Sequence, residues 1–184
     1  MEKRICFIHT DTNNLHKTND DVTKKNLYKF ARLVKLNYEI GQIVNNKFVT
    51  EKKVNQIIKP RCMYISQELT NIHGISHADA EEKGIDPEIV INEFKNDIKK
   101  INIIISHNVD FHLRTLIAES LRYNIMIDYN KYIIIDTISF VHNYNFIKLK
   151  DLAKILFKKE NKTNDNLKLI KKVFFNLYSQ YCQT

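Results

Sequence analysis

Apolar residues come in short runs through the first third of the chain and recur at helical spacing through much of the rest. Ile5-Cys6-Phe7-Ile8, within residues 4–8, predicts a first strand. Residues 27–36 and 38–44 are rich in β-branched and aromatic side chains and predict two more strands, with Gly41 inside the second. Residues 46–50 follow the turn signal Asn45-Asn46 and read as another strand. The period then changes. Ile89, Val90, Phe94 and Ile98 lie at helical spacing over 87–99, and Pro87 sits in the first turn, where proline is tolerated. Ile103-Ile104-Ile105 is unbroken, the pattern of a strand buried on both faces. Phe111, Leu113, Leu116, Ile117 and Leu121 predict a helix over 110–123, and Tyr132 to Ile135 another buried strand. Helices are expected at about 149–157 and 166–180, with the polar stretch from Lys158 to Asn166 between them as a loop. Strands that meander first and then alternate with helices predict a mixed α/β sheet.

The 184 residues suit one domain, 1–184. With 3 Gly and 2 Pro there is no flexible linker, and there is no internal repeat. No apolar run approaches the ~18 residues of a membrane span. The first run is too short for the core of a signal peptide. Cys6, Cys62 and Cys182 are widely spaced, odd in number and without C-x-x-C spacing, which argues against a disulfide framework or a zinc finger. A reducing compartment is therefore expected: cytoplasm or nucleus, or a virion or viral factory. The net charge is +8, from 24 Lys and 5 Arg against 21 acidic residues, and favours association with phosphates. The 27 Ile and 21 Asn share AT-rich codons with Lys. Part of the charge is thus codon bias, pointing to an AT-rich genome such as that of a large DNA virus or a parasite.

Six segments change this picture. Phe7-Ile8-His9-Thr10-Asp11-Thr12-Asn13-Asn14-Leu15 is an apolar strand running into a polar loop. Asn37-Tyr38-Glu39-Ile40-Gly41-Gln42-Ile43-Val44 carries a Glu-Ile-Gly. Ile72-His73-Gly74-Ile75-Ser76 follows, then Ile104-Ile105-Ser106-His107-Asn108-Val109-Asp110-Phe111-His112, then Asp136-Thr137, then Lys150-Asp151-Leu152-Ala153-Lys154-Ile155-Leu156. In type and order these resemble the DEDD-type, DnaQ-like 3′–5′ exonucleases of the ribonuclease H-like superfamily, over nearly the whole chain. His-Gly-Ile and His-Asn-x-x-Phe at this spacing are the most specific elements. The resemblance implies a mixed five-stranded sheet, three meandering strands beside two parallel ones, with helices on both faces.

The family cuts phosphodiesters with two divalent metals about 4 Å apart, held by four carboxylates, and uses a His as general base five residues before the last carboxylate. Aligned on Leu15, the first motif's Asp and Glu fall at His9 and Asp11. The second motif's Asp falls at His112, and the third motif's His and Asp fall at Asn161 and Asn166. Asp11 alone keeps a carboxylate. Asp110 and Asp165 stand near lost positions. Asp110, however, lies two residues from His112, about 200° around a helix, and Asp165 as the last carboxylate would put Glu160 in place of the base. Ordinary two-metal hydrolysis is therefore not expected, and no cofactor is expected. The alternative is an active exonuclease with a changed site, in which His9, Asp11 and His112 hold Mn²⁺, Zn²⁺ or Mg²⁺.

The expected role is a catalytically inactive domain that binds nucleic acid or serves as a structural subunit of a larger viral or replication assembly, with protein partners and no membrane. His73 and Gly74 read as shaping a loop near the substrate cleft and His107 with Asn108 as holding the strand-to-helix turn, with nucleic-acid contact the alternative for each of the four. Lys158, Lys159 and Lys162 form a basic cluster on the loop where the family's base would sit. Asp136 reads as a hydrogen-bond acceptor at a strand end.

Overall fold

The computed structural model describes residues 3–45, 47–141, 146–158, 163 and 165–181. Five strands form one sheet: β1 (Arg4–Thr12), β2 (Leu33–Val44), β3 (Lys47–Ile57), β4 (Ile103–Ser106) and β5 (Ile133–Asp136), in the order β3-β2-β1-β4-β5. The first three make an antiparallel meander, while β4 runs parallel to β1 and β5 parallel to β4. This is the ribonuclease H-like exonuclease sheet that the sequence predicts.

Six helices complete the domain among the described residues: α1 (Gln67–His73), α2 (His77–Lys83), α3 (Pro87–Asp97), α4 (Val109–Arg122), α5 (Leu149–Phe157) and α6 (Asn166–Tyr181). Strand alternation divides the core. Cys6, Ile8, Leu36, Tyr38, Ile40 and Ile104 meet α3 through Val90, Ile91 and Phe94, and α4 through Leu116. On the other face, Ile5, Phe7 and Ile105 meet Leu167, Ile170 and Phe174 of α6. Helix α5 rests on α6 through Leu152, Ala153, Leu169 and Val173. Among the described residues no helix is long and apolar enough to cross a membrane.

Three local expectations are corrected, the first being the buried strand at Tyr132 to Ile135: β5 is the sheet edge, and its Ile133 and Ile134 are exposed. Residues 27–36 and 38–44 are not two strands. Leu27–Lys29 is a 3-10 turn, and a single strand starts at Leu33. The turn is pinned from outside, because Arg122 Nη2 donates to the carbonyls of Leu27 and Phe30 at 2.8 and 2.9 Å. Asn37 then pairs with His9 in a ladder that keeps its register from Arg4 to Asp11. Strand β3 runs to Ile57, well past residue 50. It is an edge strand whose Lys47, Glu51, Lys52 and Lys53 dilute the apolar signal while guarding the edge against pairing. Helices α1 and α2 have no apolar stripe in the sequence. Ser66 and Ser76 cap them by accepting from Leu69 N–H and Asp79 N–H, and Ser76 with Asp79 forms a capping box.

Two positions hold the frame. Gly41 lies at the β2–β3 bulge, where a Cβ would come within 2.1 Å of Val49 O, so the close strand approach requires glycine. Glu119 is buried on α4. It pairs with Arg32 at 2.9 Å and Arg122 at 2.8 Å, fastening α4 to the start of β2.

Phe7 is fully buried, with rings of Phe48, Phe174 and Phe175 at 5.2, 5.5 and 5.9 Å. Phe7→Ala should destabilise the fold by about 3–5 kcal/mol, read as a lower urea midpoint with unchanged slope. A loss under about 1 kcal/mol would contradict the packing described.

Candidate functional site

The alternation that sends Phe7 to α6 sends His9 and Asp11 to the same face, beyond the point where apolar packing ends. There α6 begins with Asn166, whose Nδ2 lies 3.0 Å from His9 Nε2. His9 Nε2 also stands 3.4 Å from Asp11 Oδ1, while its Nδ1 is buried with no hydrogen-bond partner among the described residues. His112, in the first turn of α4, brings its ring to 4.8 Å from that of His9, edge to face. His9, Asp11, His112 and Asn166 thus converge.

His112 is turned inward. Its Nδ1 accepts the backbone N–H of Thr10 at 3.1 Å and lies 2.7 Å from Thr10 Oγ1. Burial pushes its pKa well below the ordinary 6.5, and the neighbouring His9 adds to this, so the ring is neutral.

Beside His9, Asp11 and Asn166 lies a cleft of about 590 Å³, which the buried His112 does not line. Strand β2 supplies Lys35 and Asn37, which pair with Asp11 and His9 on the same face, and β3 supplies Lys53 and Asn55. Asn71, Ile72, His73 and Gly74 form the opposite wall, and Lys150 closes one side. Lys35 and Lys150 make no ion pair among the described residues, and Lys53 stands 3.8 Å from Asp165, which lines the cleft beside Asn166. His73 Nδ1 accepts from Ile75 N–H at 3.2 Å, and Gly74 ends α1 with φ of 76°, so both shape this wall. Burial lowers the His73 pKa.

The other expected contacts lie elsewhere. His107 is buried, with Nδ1 2.7 Å from Thr137 Oγ1 and Nε2 2.7 Å from Ile147 O, and burial lowers its pKa. Asn108 adopts φ of 59° ahead of α4. Its N–H and that of Val109 donate to Asp136 at 2.9 and 2.8 Å, so Asp136 is the acceptor that holds this turn. Neither His107 nor Asn108 lines the cleft. Asp110 faces away and pairs with Arg114 at 2.6 Å. Lys158 ends α5 in the left-handed region and is exposed, while Lys159, Asn161 and Lys162 lie outside the described residues. Sequence reasoning missed Lys35, Lys53 and Lys150. For the first, the register was the available signal, since a residue paired with Asp11 must share its face.

A mixed sheet of this order, with a polar cleft at the end of its central strand, defines an exonuclease-type domain. The exonuclease family model matches residues 18–179, and the chain belongs to that family. The match begins after β1, so His9 and Asp11 lie outside it. No curated protein sequence matches the chain. Similar solved structures include E. coli exonuclease I with a dA16 oligonucleotide, at 10% identity, TM-score 0.74, and 97% of this chain on 41% of that one. An exonuclease I complex with SSB-Ct has 10% identity and TM-score 0.74, with 100% of this chain on 42% of that one. A full-length 3′-exonuclease has 12% identity and TM-score 0.70, with 98% on 62%. The chain spans less than half the length of the exonuclease I chains.

Family membership corrects the expectation that no cofactor is involved. These exonucleases depend on divalent metal, so a divalent cation belongs to the chemistry this cleft descends from. The side chains present do not fit the two-ion arrangement. Asp11 and Asp165 are the carboxylates lining the cleft, Asp165 standing 3.8 Å from Lys53, while His112 has spent Nδ1 on Thr10 and Asn166 offers a neutral amide oxygen, its Nδ2 being engaged by His9. Among the described residues, no three His, Cys, Asp or Glu side chains are arranged to hold a metal ion.

Two predictions follow from this geometry. His9→Asp, Asp11→Glu, His112→Asp and Asn166→Asp together should make the protein bind Mg²⁺ or Mn²⁺ more tightly than the natural chain does, measured by calorimetry. A carboxylate at 112 can still accept from Thr10. A rebuilt protein that folds but gains no affinity would show that the four positions do not share a site. The second concerns pH. His16, His73, His107 and His112 all have native pKa values below 6.5. Below pH 6.5 the unfolded chain therefore takes up protons that the native state refuses, and stability falls on acidification through that range. Urea midpoints between pH 7.5 and 5 should show this, with a shallower fall in His112→Gln.

Proposed function

We propose that this chain is a non-hydrolysing member of the exonuclease family that uses the old catalytic cleft to bind single-stranded nucleic acid. One observation carries the reading. The positions that would carry the family's metal carboxylates hold each other and the backbone instead, His9 with Asn166 and His112 with Thr10. The cleft around them presents lysines, Lys35, Lys53 and Lys150, beside the amides of Asn37, Asn55 and Asn71. Lysines attract phosphate, and amides donate to phosphate and base edges. Ile72 is 79% exposed at the rim, an apolar surface a base can cover. The oligonucleotide bound to the similar exonuclease I supports a nucleic-acid ligand for this fold, and the SSB-Ct complex supports a protein partner in the same setting.

Fluorescence anisotropy with a labelled thymidine oligonucleotide tests the reading. Binding should weaken with salt, and Lys35→Ala, Lys53→Ala and Lys150→Ala should each flatten the log–log salt slope by about 0.7, one phosphate on a single strand. The 3′ end should stay intact in Mg²⁺. A slope near zero would sink the binding reading. Trimming in Mg²⁺ or Mn²⁺ that disappears in Asp11→Ala would replace it with an active exonuclease with changed ligands.

A further inference from the structure

A second concavity lies along α6, lined by Phe48, Phe157, Phe175, Lys168, Lys171 and Lys172, with a volume of about 690 Å³. We propose that it is a second nucleic-acid subsite that takes a further stretch of the strand held in the cleft. The proposal rests on the reading of that cleft as a nucleic-acid site.

The two sites are joined along both elements that build them. On α6, Asp165 at the start of the helix lines the cleft and accepts from Lys168 N–H, and Lys168, Lys172 and Phe175 follow it at spacings of three, four and three, which places them on one side of the helix. From Asn166 to Lys172 the helix rises about 9 Å. On β3, Lys53 lines the cleft and Phe48 lines the second pocket. Lys53 pairs with Glu39 and Phe48 with Ile43, and the Ile40/Gly41 bulge keeps both side chains on the α6 face.

The chemistry suits a strand. Lys168 and Lys172 are exposed and make no ion pair among the described residues, so two cations are left to meet phosphates. Lys171 is already committed. It pairs with Glu39 at 2.6 Å and sits 5.5 Å over the Phe48 ring, where it braces the floor. Phe157 and Phe175 are half-buried and offer ring surface for bases, which stack on aromatic side chains without regard to sequence. Lysines lined up away from the cleft, rather than ringed around one hole, favour a strand over an inserted acidic protein segment.

The test compares a thymidine trinucleotide, which the cleft alone can hold, with a dodecanucleotide that reaches further. Anisotropy is measured for the natural chain, for Lys168→Ala/Lys172→Ala and for Lys99→Ala/Lys100→Ala, which removes equal charge near the start of β4. The natural chain should bind the dodecamer more tightly than the trimer. The 168/172 variant should lose about tenfold on the dodecamer, with a salt slope shallower by about 1.4, two phosphates on a single strand. Its trimer binding should not change, and the 99/100 variant should match the natural chain on both. An unchanged dodecamer affinity in the 168/172 variant overturns the proposal and leaves the patch to a protein partner. An equal loss on trimer and dodecamer, an equal loss in the 99/100 variant, or no gain with length in the natural chain also overturns it while leaving the cleft reading intact. A natural chain that binds neither oligonucleotide overturns both.

Discussion

Strict two-residue alternation along β1 is the constraint on which the rest of the structure depends. This strand is central, paired with β2 on one side and β4 on the other, and is buried on both faces. Phe7 must face α6 to complete the aromatic cluster, and Ile8 must face α3 and α4. Once those two are placed, His9 and Asp11 have no choice of side. They emerge where the apolar packing stops and the first turn of α6 begins, and the strand pairs Lys35 and Asn37 beside them. The site is therefore a by-product of core packing. Its geometry can persist after its chemistry has changed, because nothing in the packing depends on whether the side chains past Phe7 are carboxylates.

Four carboxylates in one cleft repel one another unless cations lie between them. Here the positions that the resemblance assigns to those carboxylates form a small network: an amide on an imidazole, a second imidazole on a backbone N–H, and one aspartate at the edge. Positive charge is supplied by lysine side chains on the strands and on α5, Lys35, Lys53 and Lys150, which line the cleft beside them. Lysine suits that arrangement as a hydrated point charge that adapts to a phosphate rather than clamping it.

The fold was legible because its strongest signals are periodic. Ile103-Ile104-Ile105 and the stripes of α3 and α4 can be read from spacing alone. The failures occurred where tertiary contacts override local pattern. Leu27–Lys29 looks like a strand until Arg122 reaches its carbonyls, and β3 is hidden by the lysines that guard its edge. Helices α1 and α2 are too short to show a stripe and were marked only by Ser66 and Ser76. For the site, the motif order brought His9, Asp11, His112 and Asn166 to one place. The basic lining stayed invisible, because Lys35 and Lys53 become neighbours of Asp11 and Asn166 only through strand pairing and register. His107 shows the converse: a residue that looks exposed in its motif is tied to Thr137 and Ile147 inside.

The two walls of the cleft are built to different standards. One is β1 with α6, sealed by Ile5, Phe7, Leu167, Ile170 and Phe174 in the main core. The other is the end of α1, which together with α2, seven residues each, rests on the small separate cluster of Val34, Ile65, Ile75 and Ala80. Such a unit opens at a free energy well below global unfolding. Its amides should therefore exchange with solvent deuterium long before those of β1 and β2. Excursions of this wall set how wide the groove stands at any instant, independently of the core. Entry and exit of the strand proposed for the groove are then governed by the breathing of two seven-residue helices, while the rest stays closed.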